Sequence, residues 1–392
     1  MTTQALSCDI FCNVIDNYGD IGVCWRLARQ LANEHSLKVR LWVDDLESFC
    51  KLCPEADAAL TQQHCRGVEV RHWGALFPEA QPAELVIEAF ACELPQRYIA
   101  TMAAQQRSVW INLEYLSAED WVAGCHKLPS PHPSLPLVKY FFFPGFTPQT
   151  GELLLERDLL VRRDAFQNDT AQQQAFWQSI GMEMPERGTL KISLFSYENA
   201  ALAGLLDSWA AGGQPVLCLV PEGRILPQLG QYFGDVAPRP GGDYVRGRLQ
   251  VRVLPFVEQE HYDLLLWACD VNFVRGEDSC VRAQWAGKPF IWQIYPQHDA
   301  VHWKKLQAFL NLYNAPLSQT ATRAVQDLWE AWNSSTGAGA AWPAFAAARK
   351  ELSCRAQGWA QQLARNNLAL NLLDFSGEIG TMRALKIGGR QT

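Results

Sequence analysis

Residues 8–31 read CDIFCNVIDNYGDIGVCWRLARQL, and this stretch decides the fold. The segment Cys8–Val14 is mostly apolar and predicts a buried strand, whereas Ile21–Asn33 has the spacing of an amphipathic helix. The segment at their junction, residues 16–22, holds two carboxylates, an asparagine, a tyrosine and two glycines. A plain connection needs one turn residue and one helix cap. This loop therefore carries more polar chemistry than a connection requires.

Strands and helices alternate in two blocks of the sequence. The first block has further strands at Lys38–Val43, Val68–Trp73, Leu85–Ala91 and Val109–Leu113, and a clear helix at Gln96–Gln105. The second has strands at Leu190–Phe195, Pro215–Val220, Leu249–Leu254, Val271–Val274 and Pro289–Ile294, and helices at Asn199–Ala211, His261–Ala268 and Ser279–Ala286. Such alternation predicts parallel sheets with helices on both faces. A chain of 392 residues also favours two domains, so we expect two doubly wound α/β domains in tandem.

Two parts depart from the alternation. From about Pro129 to Gly181 the chain is first proline-rich and then glutamine-rich, which predicts irregular structure leading to a linker. Near the end only helices are predicted, at Val301–Leu312, Ala324–Trp332, Ala341–Ser353 and Gln357–Leu373. We therefore expect domains at 1–165 and 166–360, with a C-terminal helix at about 360–392 that packs back on the first domain.

Composition excludes several classes of function. The formal net charge of −7 argues against a nucleic-acid-binding surface, which needs a positive balance. The first residues have no basic segment followed by a long apolar one, so no secretory signal is expected. No stretch approaches the roughly 18 apolar residues of a membrane span. These features predict a soluble, cytoplasmic protein without membrane or nucleic-acid partners.

The cysteines offer one possible metal motif. Cys50-Lys51-Leu52-Cys53 is followed by His64-Cys65, and this spacing permits a zinc site. The pair Cys50 and Cys53 lies in a helical pattern, and the adjacent pair His64-Cys65 does not match its spacing. Packed or surface thiols are therefore the favoured interpretation, and no metal is expected. Without a secretory signal, the 12 cysteines are expected to be reduced thiols.

Ligands in doubly wound sheets bind beyond the carboxyl ends of the strands, which points to the loop at Asn13–Gly22. Asp20 is a good cap for the following helix, and Gly19 and Gly22 permit a tight turn and close approach to a ligand. Neither role explains Asp16 or Tyr18. The loop lacks the glycine pattern of dinucleotide sites, and its carboxylates would repel a pyrophosphate. They suit a general base or a cationic substrate.

Three loops of the second block also follow the carboxyl ends of predicted strands. In Arg275–Ser279, Asp278 and Ser279 are either helix caps or part of a phosphate site at a helix start, where Arg275 or Arg282 would add charge. In Pro255–Gln259, Phe256 and Gln259 are able to stack on a base and bond its edge, although an ordinary buried phenylalanine is the favoured interpretation. Phe195 and Tyr197 form a further aromatic pair with the same two interpretations.

Five segments together resemble a known family. They are NVIDNYGDIGVCWRLARQL at 13–31, NLEYLSAEDW at 112–121, FFFPGF at 141–146, LFSYEN at 194–199 and RGEDSCVRAQWAGKPFIWQIYPQ at 275–297. Over nearly the whole chain, the sequence resembles the bacterial elongation factor P arginine rhamnosyltransferases, the EarP family. The resemblance implies a GT-B glycosyltransferase with two facing Rossmann-like domains and a helical C-terminal tail. The acceptor side would be N-terminal and the nucleotide-sugar side C-terminal.

The resemblance also implies the reaction. The donor is dTDP-β-L-rhamnose, and no further cofactor is expected. The acceptor is one arginine at the tip of a loop of folded elongation factor P. Transfer inverts the anomeric centre, and the α-rhamnosyl arginine supports translation through polyproline stretches.

The family's functional residues match positions in this chain. The essential aspartates correspond to Asp16 and Asp20, of which Asp20 is the usual candidate base. The family's acidic triplet corresponds to Glu277, Asp278 and Ser279. Donor contacts fall on Phe195, Tyr197, Phe256 and Gln259, and the loop neighbours of the aspartates are Asn13, Asn17, Tyr18, Gly19 and Gly22.

This chemistry limits what the carboxylates do. A guanidinium is cationic and a poor nucleophile, and paired carboxylates bind it bidentately. A carboxylate pKa of about 4 against a guanidinium pKa above about 12 leaves roughly 8 units, or about 11 kcal/mol. Asp20 is therefore expected to take the proton late, as the C–N bond forms, while Asp16 orients the guanidinium or holds Asp20 in place.

The donor side is expected to work without a metal. Asp44-Asp45 is the nearest candidate for a metal-binding carboxylate pair, and its members are adjacent rather than spaced. The helix start at Asp278 and Ser279 would stabilise the leaving diphosphate. Glu277 beside an anion suits a sugar or ribose hydroxyl, or a role in shaping the loop.

Two other functions remain open at this point. One is a GT-B transferase or nucleotide-sugar epimerase that acts on a small molecule or polysaccharide. The other is a non-catalytic nucleotide-sugar sensor or translation-factor partner. If elongation factor P is the acceptor, we expect it on the N-terminal domain, where residues 140–146 are either a docking surface or core.

Overall fold

The computed structural model of the chain describes residues 6–15, 18–296 and 301–388, with side chains described as far as residue 382. The chain divides into two compact units, Met1–Arg157 with Leu363–Thr392, and Asp158–Gln362. Among the described residues, no helix is long and apolar enough to cross a membrane.

The first unit is built on an eight-stranded sheet with the order β3-β4-β2-β1-β5-β6-β8-β7. Its strands are β1 Ser7–Cys12, β2 Lys38–Val43, β3 Gln62–Cys65, β4 Val68–His72, β5 Leu85–Ala89, β6 Val109–Leu113, β7 Pro129–Pro131 and β8 Val138–Phe142. Its helices along this part of the chain are α1 Gly19–His35, α2 Leu46–Leu52, α3 Gln96–Gln105 and α4 Trp121–Cys125. Pairing is parallel except at the two edges, where β3 and β7 run antiparallel to their neighbours. β1 lies in the interior of the sheet, between β2 and β5.

The second unit repeats this plan with six strands in the order β11-β12-β10-β9-β13-β14. The strands are β9 Leu190–Leu194, β10 Val216–Pro221, β11 Asp243–Arg246, β12 Leu249–Leu254, β13 Val271–Arg275 and β14 Phe290–Gln293. The helices are α5 Leu159–Asn168, α6 Thr170–Ser179, α7 Leu202–Ala211, α8 Leu226–Phe233, α9 Gln259–Ala268, α10 Asp278–Trp285, α11 Val301–Asn314, α12 Gln319–Asn333 and α13 Ala338–Leu363. A last helix, α14 Leu368–Gly388, belongs to the first unit.

Every strand predicted from sequence is present, with small shifts at its ends. Sequence reasoning missed β3, β7, β8 and β11. Three of these are short antiparallel edge strands, and only one residue of β3 and none of β7 or β11 is buried. Such strands show neither the apolar run of a central strand nor a clean alternation.

The prediction of irregular structure over 129–181 is wrong. The stretch contains β7, β8, α5 and α6. Helix α6 begins where the Asp169 carboxylate accepts hydrogen bonds from the backbone N–H groups of Ala171 and Gln172. It buries the consecutive aromatic residues Phe176 and Trp177. The first unit ends at Arg157, whereas the boundary expected at 165/166 falls inside α5.

The predicted break in the C-terminal helices is also misplaced. Helix α13 runs without interruption through 354–356, and the break lies at 364–367 instead. Helix α14 is fixed to the first unit by Leu368 N–H, which donates to Leu153 O at 2.9 Å, and by Phe375, which packs on Tyr140 and Phe142. A side chain at Gly151 would place its Cβ 2.4 Å from the Phe142 ring, so this contact requires glycine.

The aromatic segment 140–146 is mainly core. Phe142, Phe143 and Phe146 are buried. His126 packs its ring against Phe142, with the ring centroids 4.5 Å apart, and its Nδ1 accepts from the Phe143 N–H at 3.1 Å. Desolvation by burial, with a smaller contribution from Lys127, lowers the pKa of His126 to about 4.

His126 makes the folding stability depend on pH. In the unfolded chain a histidine pKa is about 6.5, so between about pH 6.5 and 4 the unfolded state binds a proton that the folded state does not. Stability is therefore lost as the pH falls through this range. We expect His126→Asn, whose Oδ1 is able to accept the same N–H, to lose less unfolding free energy between about pH 7 and 5 than wild type in urea titrations. The exposed His64→Asn is the control, and equal losses in all three proteins would contradict this assignment.

Candidate functional site

The loop after β1 places a buried carboxylate at the carboxyl edge of the first sheet. Asp20 lies in the first turn of α1 and is only 3% exposed. Its Oδ2 accepts from the Ile15 N–H at 2.9 Å, so the side chain folds back across the loop. Tyr18 occupies the N-cap position and makes no side-chain cap. The capping role considered for Asp20 is therefore wrong, and its carboxylate instead bonds the backbone of the loop.

The glycines of the loop lie inside the helix. Gly19 is the first residue of α1, and the Gly22 N–H donates to Tyr18 O at 2.9 Å as part of the first turn. The expected tight-turn role is wrong for both, because both have helical positions. Close approach of a ligand, the other role expected of these glycines, stays a prediction. Asp16 and Asn17 lie outside the described residues.

Asp44 anchors this loop from the neighbouring strand. Its carboxylate accepts from Asn13 Nδ2 and from the Val14 N–H, each at 2.8 Å. Asp45 has a different task, because its side chain accepts from the Ser48 N–H at 3.0 Å and caps α2. Sequence reasoning weighed these two residues only as a metal pair. The signal it missed is that β2 ends beside β1, which brings Asp44 to the same sheet edge.

The ends of β5 and β6 add an aromatic surface and strained backbone to this edge. The Phe90 ring stacks on Tyr115, with centroids 4.4 Å apart. Phe90 and Ala91 have φ angles of 57° and 55°, a left-handed conformation that non-glycine residues rarely adopt. Asn112 Oδ1 holds the turn by accepting from the Ala91 N–H at 3.0 Å. Backbone strain of this kind concentrates at functional sites.

Arg275 is the central feature of the carboxyl edge of the second sheet. It ends β13, and its guanidinium carbon lies 4.5 Å from the Phe195 ring centroid and 4.6 Å from that of Tyr197. The residue is 6% exposed, and its buried Nη1 has no hydrogen-bond partner among the described residues. Cation–π contacts are worth about 0.5–2 kcal/mol and do not supply the hydrogen bond that this nitrogen lacks. This cation is therefore suited to an anionic ligand.

Phe195 and Tyr197 hold this arginine between their rings. The Tyr197 N–H donates to Gln293 Oε1 at 2.9 Å, and its ring packs edge-on against Tyr295. A Cβ on Gly223 would lie 3.4 Å from the Phe195 ring, so the loop after β10 also approaches closely. Sequence reasoning treated the aromatic pair as possible base-stacking groups and did not foresee the arginine between them.

The helix start after β13 differs from the expected cap. The N-cap residue is Glu277, which makes no side-chain cap, and α10 begins at Asp278. The Ser279 hydroxyl bonds the backbone of Arg275, accepting from its N–H at 3.1 Å and donating to its carbonyl oxygen. The capping interpretation of Asp278 and Ser279 is thus wrong, and Ser279 fixes the backbone that carries Arg275.

Two further residues of the predicted donor site meet at the start of α9. Gln259 is buried, and its Nε2 lies 3.5 Å from Asp278 Oδ2. Phe256 is half-buried on the loop that precedes this helix. The structure therefore brings the loops after β12 and β13 together, as parallel strand ends require.

Two other charged pairs lie near this edge. Arg282 makes a buried bidentate ion pair with Asp263, with N–O distances of 2.8 and 2.6 Å. The extra positive charge considered for Arg282 is therefore wrong, which leaves Arg275. Glu277 pairs with Lys305 Nζ at 3.4 Å. Lys305 lies on α11, and no motif in the sequence pointed to it.

Known proteins resemble this chain along most of its length. A family model described as Elongation-Factor P (EF-P) rhamnosyltransferase EarP matches residues 8–377. The protein-arginine rhamnosyltransferase of Pseudomonas putida KT2440 is 53% identical over 369 residues, covering 94% of this chain and 97% of that protein. The protein-arginine rhamnosyltransferase of Pseudomonas aeruginosa PAO1 is 49% identical over 371 residues, covering 94% and 98%.

Solved structures agree on the fold. One that describes the structural basis for EarP-mediated arginine glycosylation of translation elongation factor EF-P is 39% identical, with a TM-score of 0.69, and covers 95% of this chain and 99% of that one. The calicheamicin glycosyltransferase CalG4 is 11% identical with a TM-score of 0.51, covering 96% and 99%, and this likeness concerns the fold alone. The α/β fold is that of GT-B glycosyltransferases, and the chain belongs to the EarP family of elongation factor P rhamnosyltransferases.

Proposed function

We propose that the chain transfers L-rhamnose from dTDP-β-L-rhamnose to a single arginine of translation elongation factor P, with inversion at the anomeric carbon and without a metal. The family to which the chain belongs supports the sugar and the acceptor. The single observation that carries the proposed donor site is the buried Arg275 at a strand end, whose Nη1 has no hydrogen-bond partner among the described residues. Such a modified factor would relieve ribosome stalling at polyproline stretches, and its acceptor would place the chain in the cytoplasm.

On the acceptor side, Asp20 is the proposed base. It is held at the carboxyl edge by its bond to Ile15 N–H, and Asp44 fixes the adjoining backbone. A preorganised carboxylate loses little free energy to reorganisation when the cationic guanidinium arrives. Asp16 would orient the guanidinium from another edge, since a bidentate contact fixes the plane of the guanidinium.

Proton transfer is late in this mechanism. Removing a proton from free arginine would cost about 11 kcal/mol, from the gap of roughly 8 units between the two pKa values. As the nitrogen attacks the anomeric carbon, a positive charge builds on it and its N–H becomes more acidic. Asp20 then accepts the proton as the C–N bond forms and the C–O bond to the diphosphate breaks. Holding the two reactants in line supplies much of the remaining rate.

On the donor side, Arg275 would bind the diphosphate. Its charge is fixed by the rings of Phe195 and Tyr197 and by the Ser279 hydroxyl on its backbone. The N–H groups at the start of α10 add to the stabilisation of the leaving group. Gln259 and Phe256 would contact the base. Glu277 is already paired with Lys305, so it suits a sugar or ribose hydroxyl better than a phosphate.

The first test is the intact mass of purified elongation factor P after incubation with dTDP-rhamnose, EDTA and either wild type or Asp20→Asn. We expect wild type to add one deoxyhexose despite EDTA. We expect the variant to add none at the same time point, because the amide cannot accept the proton.

Each outcome of this test discriminates between functions. Donor binding by wild type without any mass gain would favour the small-molecule transferase or epimerase, or a non-catalytic sensor. Gain with Asp20→Asn at the wild-type rate would refute Asp20 as the base. Circular dichroism of the variant shows whether a loss of activity reflects misfolding.

Arg275 gives a second prediction. Hydrogen bonds to a charged group contribute about 1.5–3 kcal/mol, so Arg275→Met is expected to weaken dTDP binding about 10- to 100-fold in calorimetry. Thymidine has no phosphate, and its weaker binding is expected to change little. Arg246→Met is the matched control, since Arg246 also covers an aromatic ring, that of Tyr232, but lies on the edge strand β11. An equal loss for dTDP and thymidine would contradict a diphosphate contact.

A further inference from the structure

A cluster of thiols and a carboxylate lies away from the residues assigned to the reaction. Cys53, Glu55 and Cys65 bring their ligand atoms within 4.8 Å of one another. Cys53 ends α2, and Cys65 ends β3 opposite Val68, the first residue of β4. Since β4 is parallel to β1, its first residue lies at the amino edge of the sheet, whereas Asp20 follows the carboxyl edge. The cluster is therefore separate from the proposed catalytic residues.

One distance in this cluster already matches tetrahedral metal coordination. Cys53 Sγ lies 3.6 Å from Glu55 Oε1. With Zn–S bonds of about 2.3 Å and Zn–O bonds of about 2.1 Å, tetrahedral ligands lie roughly 3.5–3.8 Å apart. Both thiols are buried, while the Glu55 side chain is 50% exposed. An ion would thus have an entry path past the carboxylate and a solvent-facing fourth position.

The charges also balance. Two thiolates and one carboxylate carry three negative charges, and a divalent ion neutralises two of them. Arg66 supplies the remaining positive charge, because its Nε lies 3.4 Å from Glu55 Oε1. Thiolate ligands select ions such as Zn²⁺ over Mg²⁺ or Ca²⁺, which prefer oxygen.

We propose that Cys53, Glu55 and Cys65 bind one Zn²⁺ as a structural site that ties the β3–β4 hairpin to the end of α2. Binding forms two Zn–S bonds and one Zn–O bond and releases the two thiol protons to solvent, with no change of oxidation state. Water or Cys50 completes the coordination. Cys50 is one helical turn before Cys53, and its Sγ now donates to Ala56 O at 3.4 Å.

This ligand set differs from the one that the sequence spacing suggested. His64 is exposed and belongs to the lining of a separate cavity of about 480 Å³ with Lys38 and Arg107. Adjacent strand residues point to opposite faces, so His64 and Cys65 do not serve one ion. Glu55, which no spacing rule singled out, takes the place of the histidine.

Cobalt binding to the full-length chain tests the proposal. Co²⁺ occupies tetrahedral thiolate sites and gives a thiolate-to-metal charge-transfer band whose intensity follows the number of thiolates. In the presence of a phosphine reductant, we expect one Co²⁺ per chain, displaced by Zn²⁺, and a higher midpoint of thermal unfolding with either ion. Cys53→Ser and Cys65→Ser are each expected to lose a third to a half of this band's intensity, the double variant at least two thirds of it, and Glu55→Gln to weaken binding at least tenfold.

Controls separate this site from the other thiols. Cys354→Ser, at an exposed cysteine of α13, is expected to bind Co²⁺ as wild type does. If the band of Cys50→Ser has the wild-type intensity, water is the fourth ligand. If it is reduced by about a third, Cys50 is the fourth ligand. Both results agree with the proposal. No Co²⁺ band in the reduced wild-type chain, or a band of undiminished intensity in Cys53→Ser or Cys65→Ser, would overturn it. Near-ultraviolet circular dichroism establishes that each variant is folded.

Discussion

Parallel pairing around β1 and β9 is the constraint on which the rest of the structure depends. Each strand lies inside its sheet, so its neighbours must end at the same edge. Loops that are far apart in sequence then meet without any special arrangement. In the first unit this brings Asp44 to the loop of Asp20, and in the second it brings Phe195, Gln259 and Arg275 to one edge.

The two edges hold opposite charges that are supported in similar ways. Asp20 is a buried carboxylate held by a backbone N–H, and Arg275 is a buried cation held between two rings. In each case a neighbouring strand end supplies the support, through Asp44 or through Phe195. Nearby charges with no such role are paired locally, as in Arg282 with Asp263. A cationic acceptor and an anionic donor are the ligands that this pattern suits.

Sequence reasoning reached the fold because central strands are uniformly apolar and central helices follow them. It failed where the signal is local or weak, as at the polar edge strands and at the junction of α13 and α14. The glutamine-rich α6 was missed because its apolar content is small, although Asp169 marks its start. The positions of candidate site residues next to strand ends were predictable, including Asp20, Phe195 and Ser279, and their roles stay predictions. Partners that depend on tertiary pairing, such as Asp44 for Asn13 and Lys305 for Glu277, were not.

The proposed reaction is a single displacement in which the arginine nitrogen attacks the anomeric carbon directly while Asp20 takes the proton. The most direct measurement is the anomeric configuration of rhamnosyl-arginine in elongation factor P, read from the one-bond ¹H–¹³C coupling at C1 with ¹³C-labelled rhamnose. A single displacement predicts the α configuration from a β donor. A β product would require an intermediate or a front-face mechanism, and would contradict Asp20 as the base of a direct displacement.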